Sequence, residues 1–116
     1  MDLDPRQLVG EPPDAVFCFN DQLALGAMRA AHDAGLDVPR DVAVVGFDDI
    51  EDGRYSRPSL TTISPDKWAI AVRALELLGE RLDGDRSGSA RDVVVPHSLI
   101  VRESSGQPRS RGSRTR

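Results

Sequence analysis

The sequence predicts an α/β fold, a parallel sheet covered by helices, and three observations predict it. Short apolar runs rich in β-forming residues recur at Ala15–Phe19 and Val42–Gly46. Stretches with helical periodicity alternate with them, at 22–34 and 65–82, the pattern of strands joined by crossover helices. The second run, VAVVGFDDIED from Val42 to Asp52, breaks abruptly into acids after Gly46-Phe47. A continuous apolar run closed by a turn signal reads as a strand buried on both faces. Its carboxyl end delivers Asp48, Asp49, Glu51 and Asp52 into a loop, where open α/β sheets bind their ligands. Acids in such loops also cap helices, shape turns or sit in solvent, so position alone assigns none of them.

Each element has its own local reason. Met1 to Asp14 is polar; Asp4–Val9 carries the pattern of a last helical turn, stopped by Gly10 and Pro12-Pro13. After the first strand, Asn20 and Asp21 both suit a helix N-cap, because each accepts from orphan helix N–H groups. Gln22–Ala34 is then a helix with Ala24, Ala27, Met28 and Ala31 on one face and Leu25 beside them. Small residues there allow close approach to the sheet. Gly35 ends it as a left-handed cap with Leu36 as the accompanying apolar contact, and Pro39 blocks any restart. Gly53–Leu60 reads as a loop and Thr61–Ile63 as a brief strand. Ser64-Pro65-Asp66 reads as a helix start, with a hydroxyl cap, proline at the first position and an acid in the first turn. That helix, Pro65 to Leu82, carries an apolar stripe of Trp68, Ala71, Val72, Leu75, Leu78 and Leu82. The simplest role for Trp68 is packing. Asp83–Ala90 is a surface loop by composition. Asp92–Val95 and Ser98–Arg102 read as two short β segments broken at Pro96-His97, with His97 a turn residue. From Ser104 onward Ser, Gly, Pro and Arg dominate, predicting disorder.

Composition excludes several classes. The chain has 116 residues, 39% hydrophobic and 29% charged, as expected of one soluble globular domain at most. A net charge of −4 gives no electrostatic case for nucleic acid over the body of the chain. The basic end, RSRGSRTR, could touch phosphate only non-specifically. The single Cys18 excludes an internal disulfide and any Cys-based metal cluster within one chain. It also fits a reducing cytoplasm. No run reaches the ~20 apolar residues of a membrane span. The first twenty residues lack the basic and apolar regions of a secretory signal. Neither GxGxxG after the first strand nor GxxxxGK[ST] occurs, which disfavours dinucleotide and P-loop chemistry. There is no GxSxG elbow and no Ser/His/Asp set, so no catalytic residue is assigned. The acids at 48–52 lack the spacing of a calcium loop, and His97 has no nearby Cys or second His to make a metal site.

Five blocks, taken in order, carry a family resemblance: Asn20-Asp21 with Ala24-Leu25-Gly26; Gly35-Leu36 with Val38-Pro39; Val44-Val45-Gly46-Phe47-Asp48-Asp49; Leu60-Thr61-Thr62-Ile63; and Val101-Arg102-Glu103-Ser104. Over residues 14–105 the chain resembles the C-terminal part of the effector-binding domain of the lactose/galactose-repressor (LacI/GalR) family of bacterial transcription regulators. The resemblance implies the fold of the periplasmic sugar-binding proteins, two α/β subdomains closing over a small ligand, with this chain matching most of the C-terminal one. It divides the chain into a remnant or linker at 1–13, the subdomain at 14–105 and a disordered basic tail at 106–116.

The resemblance also implies roles. Asn20 corresponds to the amide that hydrogen-bonds the effector and Asp48 to the acid that accepts from its hydroxyls. A carboxylate takes two hydroxyl donors in charge-assisted bonds, and an amide both donates and accepts, as a polyol requires. Where many relatives carry Gln after T-T-I-x this chain has Pro65, and Lys67 stands where an aromatic side chain can line the cleft. A proline removes a polar contact, so the effector is expected to differ from a simple galactoside. The Gln22–Ala34 helix and the region of Tyr55 correspond to dimerising surfaces, which makes Tyr55 a candidate interface residue. No cofactor is implied. The expected partners are a sugar or nucleoside-like effector and a second copy of the chain. Operator DNA is expected only through an N-terminal helix-turn-helix that does not occur before Ala15. The expected compartment is the cytoplasm, with no membrane contact. Two other readings stay open: a fragment of a periplasmic sugar-binding protein, and a magnesium-dependent enzyme using Asp48-Asp49, which no D-x-D-G-T pattern supports.

Overall fold

The computed structural model describes residues 11–84, 88 and 90–106. Strands β1 (Ala15–Phe17), β2 (Ala43–Phe47), β3 (Thr61–Pro65) and β4 (His97–Ile100) form one sheet in that order. β1, β2 and β3 run parallel, with Phe17 opposite Val45 and Val45 opposite Thr61; β4 returns antiparallel, with His97 opposite Pro65. Helix α1 (Asp21–Asp33) crosses from β1 to β2, a single-turn helix α2 (Asp52–Tyr55) follows β2, and α3 (Lys67–Leu82) follows β3. The architecture is therefore α/β with a mainly parallel sheet. The expected helix at Asp4–Val9 and the tail at 107–116 lie outside the described residues.

α1 forms as its sequence dictates. Asn20 in extended conformation caps it, its Oδ1 accepting from the Leu23 N–H at 2.8 Å. Gly35 (φ 76°) ends it: its N–H donates to the His32 carbonyl and the Leu36 N–H to the Ala31 carbonyl, a Schellman closure. Ala24, Met28 and Ala31 face the sheet and are buried. Ala24 and Met28 make a small core with Cys18, Val44 and Leu60, edged by Val16, Leu25, Ala27 and Val38. Fully burying a side chain such as Leu60 or Val44 contributes roughly 1.5–3 kcal/mol. Burial also pushes the Cys18 thiol above its ordinary value, leaving it a packing group.

Several sequence expectations are corrected. β2 is covered on one face only: Val44 and Gly46 point to α1 and are buried, while Ala43, Val45 and Phe47 are not. The cause is α3. None of its residues is buried, and Leu75, Leu78 and Leu82 of its apolar stripe are exposed. Trp68 is 80% exposed rather than packed. Ser64 does not cap α3. β4 holds Ser64 and Pro65 in the sheet, so the strand runs two residues further and Asp66 becomes the cap, accepting from the Ala69 N–H at 2.9 Å. Asp92–Val95 has no strand partner, and His97 opens β4 instead of turning the chain. The segment from Asp52 to Tyr55, read as loop, is helical.

The end of the described chain is ordered where composition predicted disorder. Glu103–Ser105 form a 3-10 turn, and Ser104 is fully buried. The Ser104 hydroxyl donates to the Val44 carbonyl at 2.6 Å and accepts from the Thr61 N–H at 2.8 Å, bridging β2 and β3. The Glu103 carboxylate accepts from both the amide and the hydroxyl of Ser59. These two bonds hold it below the usual carboxylate range. A serine-rich run reads as disordered until its hydroxyls find buried backbone partners.

Candidate functional site

Because β1, β2 and β3 are parallel, their carboxyl ends share one edge of the sheet. β1 leads through Cys18, whose N–H donates to the Val45 carbonyl at 2.8 Å, to Asn20. β2 leads directly to Asp48, and β3 ends at Pro65, two residues before Lys67. The structure thus brings Asn20, Asp48, Pro65 and Lys67 to a single edge. Tyr55 lies apart on α2, 76% exposed.

The turn after β2 is strained and heavily pinned. Asp48 (φ 115°) and Asp49 (φ 56°) both occupy positive φ, at a cost on the order of 1–3 kcal/mol each. Three backbone N–H groups hold them there. Asp48 donates to the Ile63 carbonyl at 2.9 Å, Asp49 to Thr62 Oγ1 at 3.3 Å and Ile50 to Asp21 Oδ2 at 2.8 Å.

The two neighbouring acids differ in their partners. The Asp49 carboxylate is almost buried and fully engaged. It accepts from Arg102 Nη2 at 2.9 Å and Ser64 Oγ at 3.0 Å, and Arg54 lies 3.6 Å away. Burial pushes its pKa up, but the hydrogen bonds from Arg102 and Ser64 and the two guanidinium charges outweigh that and hold it below the usual carboxylate range. The Asp48 carboxylate has no hydrogen-bond or ion-pair partner among the described residues, and the residue is half-buried. Lys67 Nζ donates to the Asp49 carbonyl at 3.2 Å, closing the same turn. Asn20 spends its carbonyl oxygen on the α1 cap; its amide nitrogen makes no bond among the described residues. A carboxylate and an amide donor at one edge can together accept from and donate to hydroxyl groups.

Sequence reasoning missed two residues here. Asp21 was expected to share capping duty with Asn20. It is instead fully buried, accepting from Thr62 Oγ1 at 2.6 Å and from Ile50 N–H, so it ties α1 to β2 and β3 beneath the turn. The readable signal was Gly46: a Cβ there would stand 2.2 Å from Asp21 Oδ1, so only glycine lets the carboxylate in. Arg102 carries the other missed role. Its guanidinium spans from the Leu60 carbonyl at 3.0 Å to Asp49 Oδ1. Nothing local in VRESS announces a partner 53 residues away. Among the described residues no group of three or more His, Cys, Asp or Glu is placed to hold a metal ion, and no helix is long and apolar enough to cross a membrane.

The chain resembles known proteins over most of its length. The profile of the periplasmic binding protein-like domain matches residues 2–105. The HTH-type transcriptional regulator MalR of Clostridium butyricum is 41% identical over 90 residues, which cover 78% of this chain and 26% of that regulator. A LacI-family regulator structure from Sanguibacter keddieii superposes with a TM-score of 0.75 at 46% identity, covering 88% of this chain and 39% of that one. The lac repressor dimer bound to operator and an anti-inducer gives 0.74 at 35% identity (88% and 30%). The complex of the regulator CelR with cellobiose gives 0.75 at 32% identity (85% and 30%). The chain thus spans about a quarter of the curated relative's length and 30–39% of the structural ones, and these relatives are regulators of transcription, neither enzymes nor transport proteins. A mainly parallel four-stranded α/β sheet, and a profile match across nearly all the described residues, place this chain in the periplasmic binding protein-like domain family, as part of the effector domain of LacI-family transcriptional regulators.

Proposed function

We propose that this chain forms one wall of an effector site for a small polyhydroxylated molecule, a sugar in the first instance, in a LacI-type regulator. Asn20 and Asp48 make the polar contacts: the Asp48 carboxylate accepts from ligand hydroxyls and the Asn20 amide donates. Pro65 and Lys67 border them. The observation that carries the reading is the contrast between the two adjacent acids at the end of β2. Asp49 is engaged by Arg102 and Ser64, whereas the Asp48 carboxylate has no partner among the described residues and stands at the edge where parallel sheets bind ligands. The sugar bound by CelR, a neighbour of the same fold, favours the same class.

The remaining assignments belong to the same proposal. Residues 14–105 act as the C-terminal subdomain, with 1–13 a linker and 106–116 a basic tail. Two copies pair through surfaces that include Tyr55, whose exposure suits an interface. Operator binding resides in a headpiece elsewhere in the regulator, and effector binding acts on it by favouring one subdomain arrangement, a coupling typically worth about 1–3 kcal/mol. Titrating the isotopically labelled chain with cellobiose and D-ribose tests the site. Shifts confined to the Asn20 and Asp48 resonances, lost in Asp48→Asn, are expected. Unmoved resonances at both positions with either sugar would refute it.

A further inference from the structure

The Asp48-Asp49 turn is tied to a distant part of the chain. Asp49 meets Arg102, which lies just beyond β4, and the pair is close to dry: the two side chains are 10% and 16% exposed. Arg102 splits its fork between two acceptors, the Leu60 carbonyl before β3 and Asp49 Oδ1. Its own backbone is fixed as well. The Arg102 N–H donates to Thr61 Oγ1 at 2.8 Å, and that hydroxyl in turn donates to the Arg102 carbonyl or bonds Ser105 Oγ. The guanidinium is therefore anchored at both ends before it touches the turn. Asp48 precedes Asp49 and its side chain has no partner among the described residues, so its direction is set by the backbone of the turn, held by its own N–H on the Ile63 carbonyl and by the anchoring of Asp49.

We propose that Arg102 is a positioning residue for effector recognition: through Asp49 it fixes the positive-φ turn that aims the Asp48 carboxylate at the ligand, without touching the ligand itself. This rests on the Asn20–Asp48 reading for its functional consequence, though not for the coupling between Arg102 and the turn. The planar fork is what matters. A lysine would keep the charge but could not serve Leu60 and Asp49 together. Arg54 does not substitute, since it lies farther from Asp49 and is half exposed.

Amide hydrogen exchange on the full 116-residue chain tests the coupling. Arg102→Gln and Arg102→Lys are each compared with wild type at Asp48, Asp49 and Ile50, with Ala24 and Val44 as core references. Both variants should speed exchange at the three turn amides by about tenfold or more relative to the references, and the Asp48 carboxyl resonance should move. Neither variant should add to the effect of Asp49→Asn when combined with it. Turn amides that keep their wild-type rates, or that change only in step with Ala24 and Val44, would overturn the proposal and leave Arg102 an ordinary fold-stabilising group. If Arg102→Gln does not fold, Arg102→Lys decides by the same criterion. Titration with cellobiose and D-ribose separates the two readings. Where wild type binds, Arg102→Lys should weaken the sugar about tenfold. Where wild type binds neither sugar, the effector-site reading fails while the exchange result still decides the coupling.

Discussion

α1 and α3 are both amphipathic helices that follow a strand, yet one makes the core and the other has no fully buried residue. α1 presents Ala24, Met28 and Ala31 to a sheet face whose side chains are Val44 and a glycine, so the layers close tightly. α3 presents larger residues, Leu75, Leu78 and Leu82 among them, and finds no layer among the described residues. The difference teaches that a 3.6-residue stripe states which face seeks burial and says nothing about where the burying surface is. Partners come from topology, and here topology serves α1 and the edge turn.

The comparison can be broken most severely under α1. Asp21→Ala should destabilise the chain by about 3 kcal/mol or more, because it strands the Thr62 hydroxyl and the Ile50 N–H as well as removing the carboxylate. Urea unfolding followed by circular dichroism reads this directly. Gly46→Ala should cost roughly 1–3 kcal/mol by overpacking against Asp21 in the same assay; a neutral result would mean that α1 can retreat from the sheet. Asn20→Ala should cost about 1 kcal/mol through the lost cap. On α3, Leu78→Ser should stay within about 0.5 kcal/mol. Trp68 should show the emission and quenching of water-exposed indole, and a blue-shifted, protected Trp68 would reveal a surface covering α3 in solution.

Acid sharpens the contrast at the binding edge. Asp49 has a folded pKa below its ordinary value, so its contribution is complete above the ordinary carboxylate range and is lost as pH falls through the lowered one. Protection of the turn amides, the ratio of intrinsic to observed exchange rate, should therefore fall below that range in wild type, and this loss should be absent in Asp49→Asn. Glu103 titrates in the same sense through Ser59, which is why the Asp49 variant is the necessary control.

Much of the fold could be read from local chemistry: the β1–α1–β2 unit, the Asn20 cap, the Gly35 closure and the buried face of α1 all follow from neighbouring residues. What could not be read depends on distant partners. Whether Ser64 caps a helix or extends a strand is decided by β4. Whether 103–105 is ordered is decided by the Val44 carbonyl and the Thr61 N–H. At the edge, the sequence offers four acids between Asp48 and Asp52 with equal local claims. Arg102, far along the chain, engages one of them, Asp49.

The serine that bridges β2 and β3 has a consequence for biosynthesis. Its partner carbonyl belongs to Val44, 60 residues earlier. While translation is under way, that carbonyl and the Thr61 amide have only water to bond. The sheet cannot seal in its final form until residue 104 has cleared the ribosome, so nascent chains stalled shortly before that point should remain protease-sensitive around the second and third strands, and long-range closure of this kind slows folding.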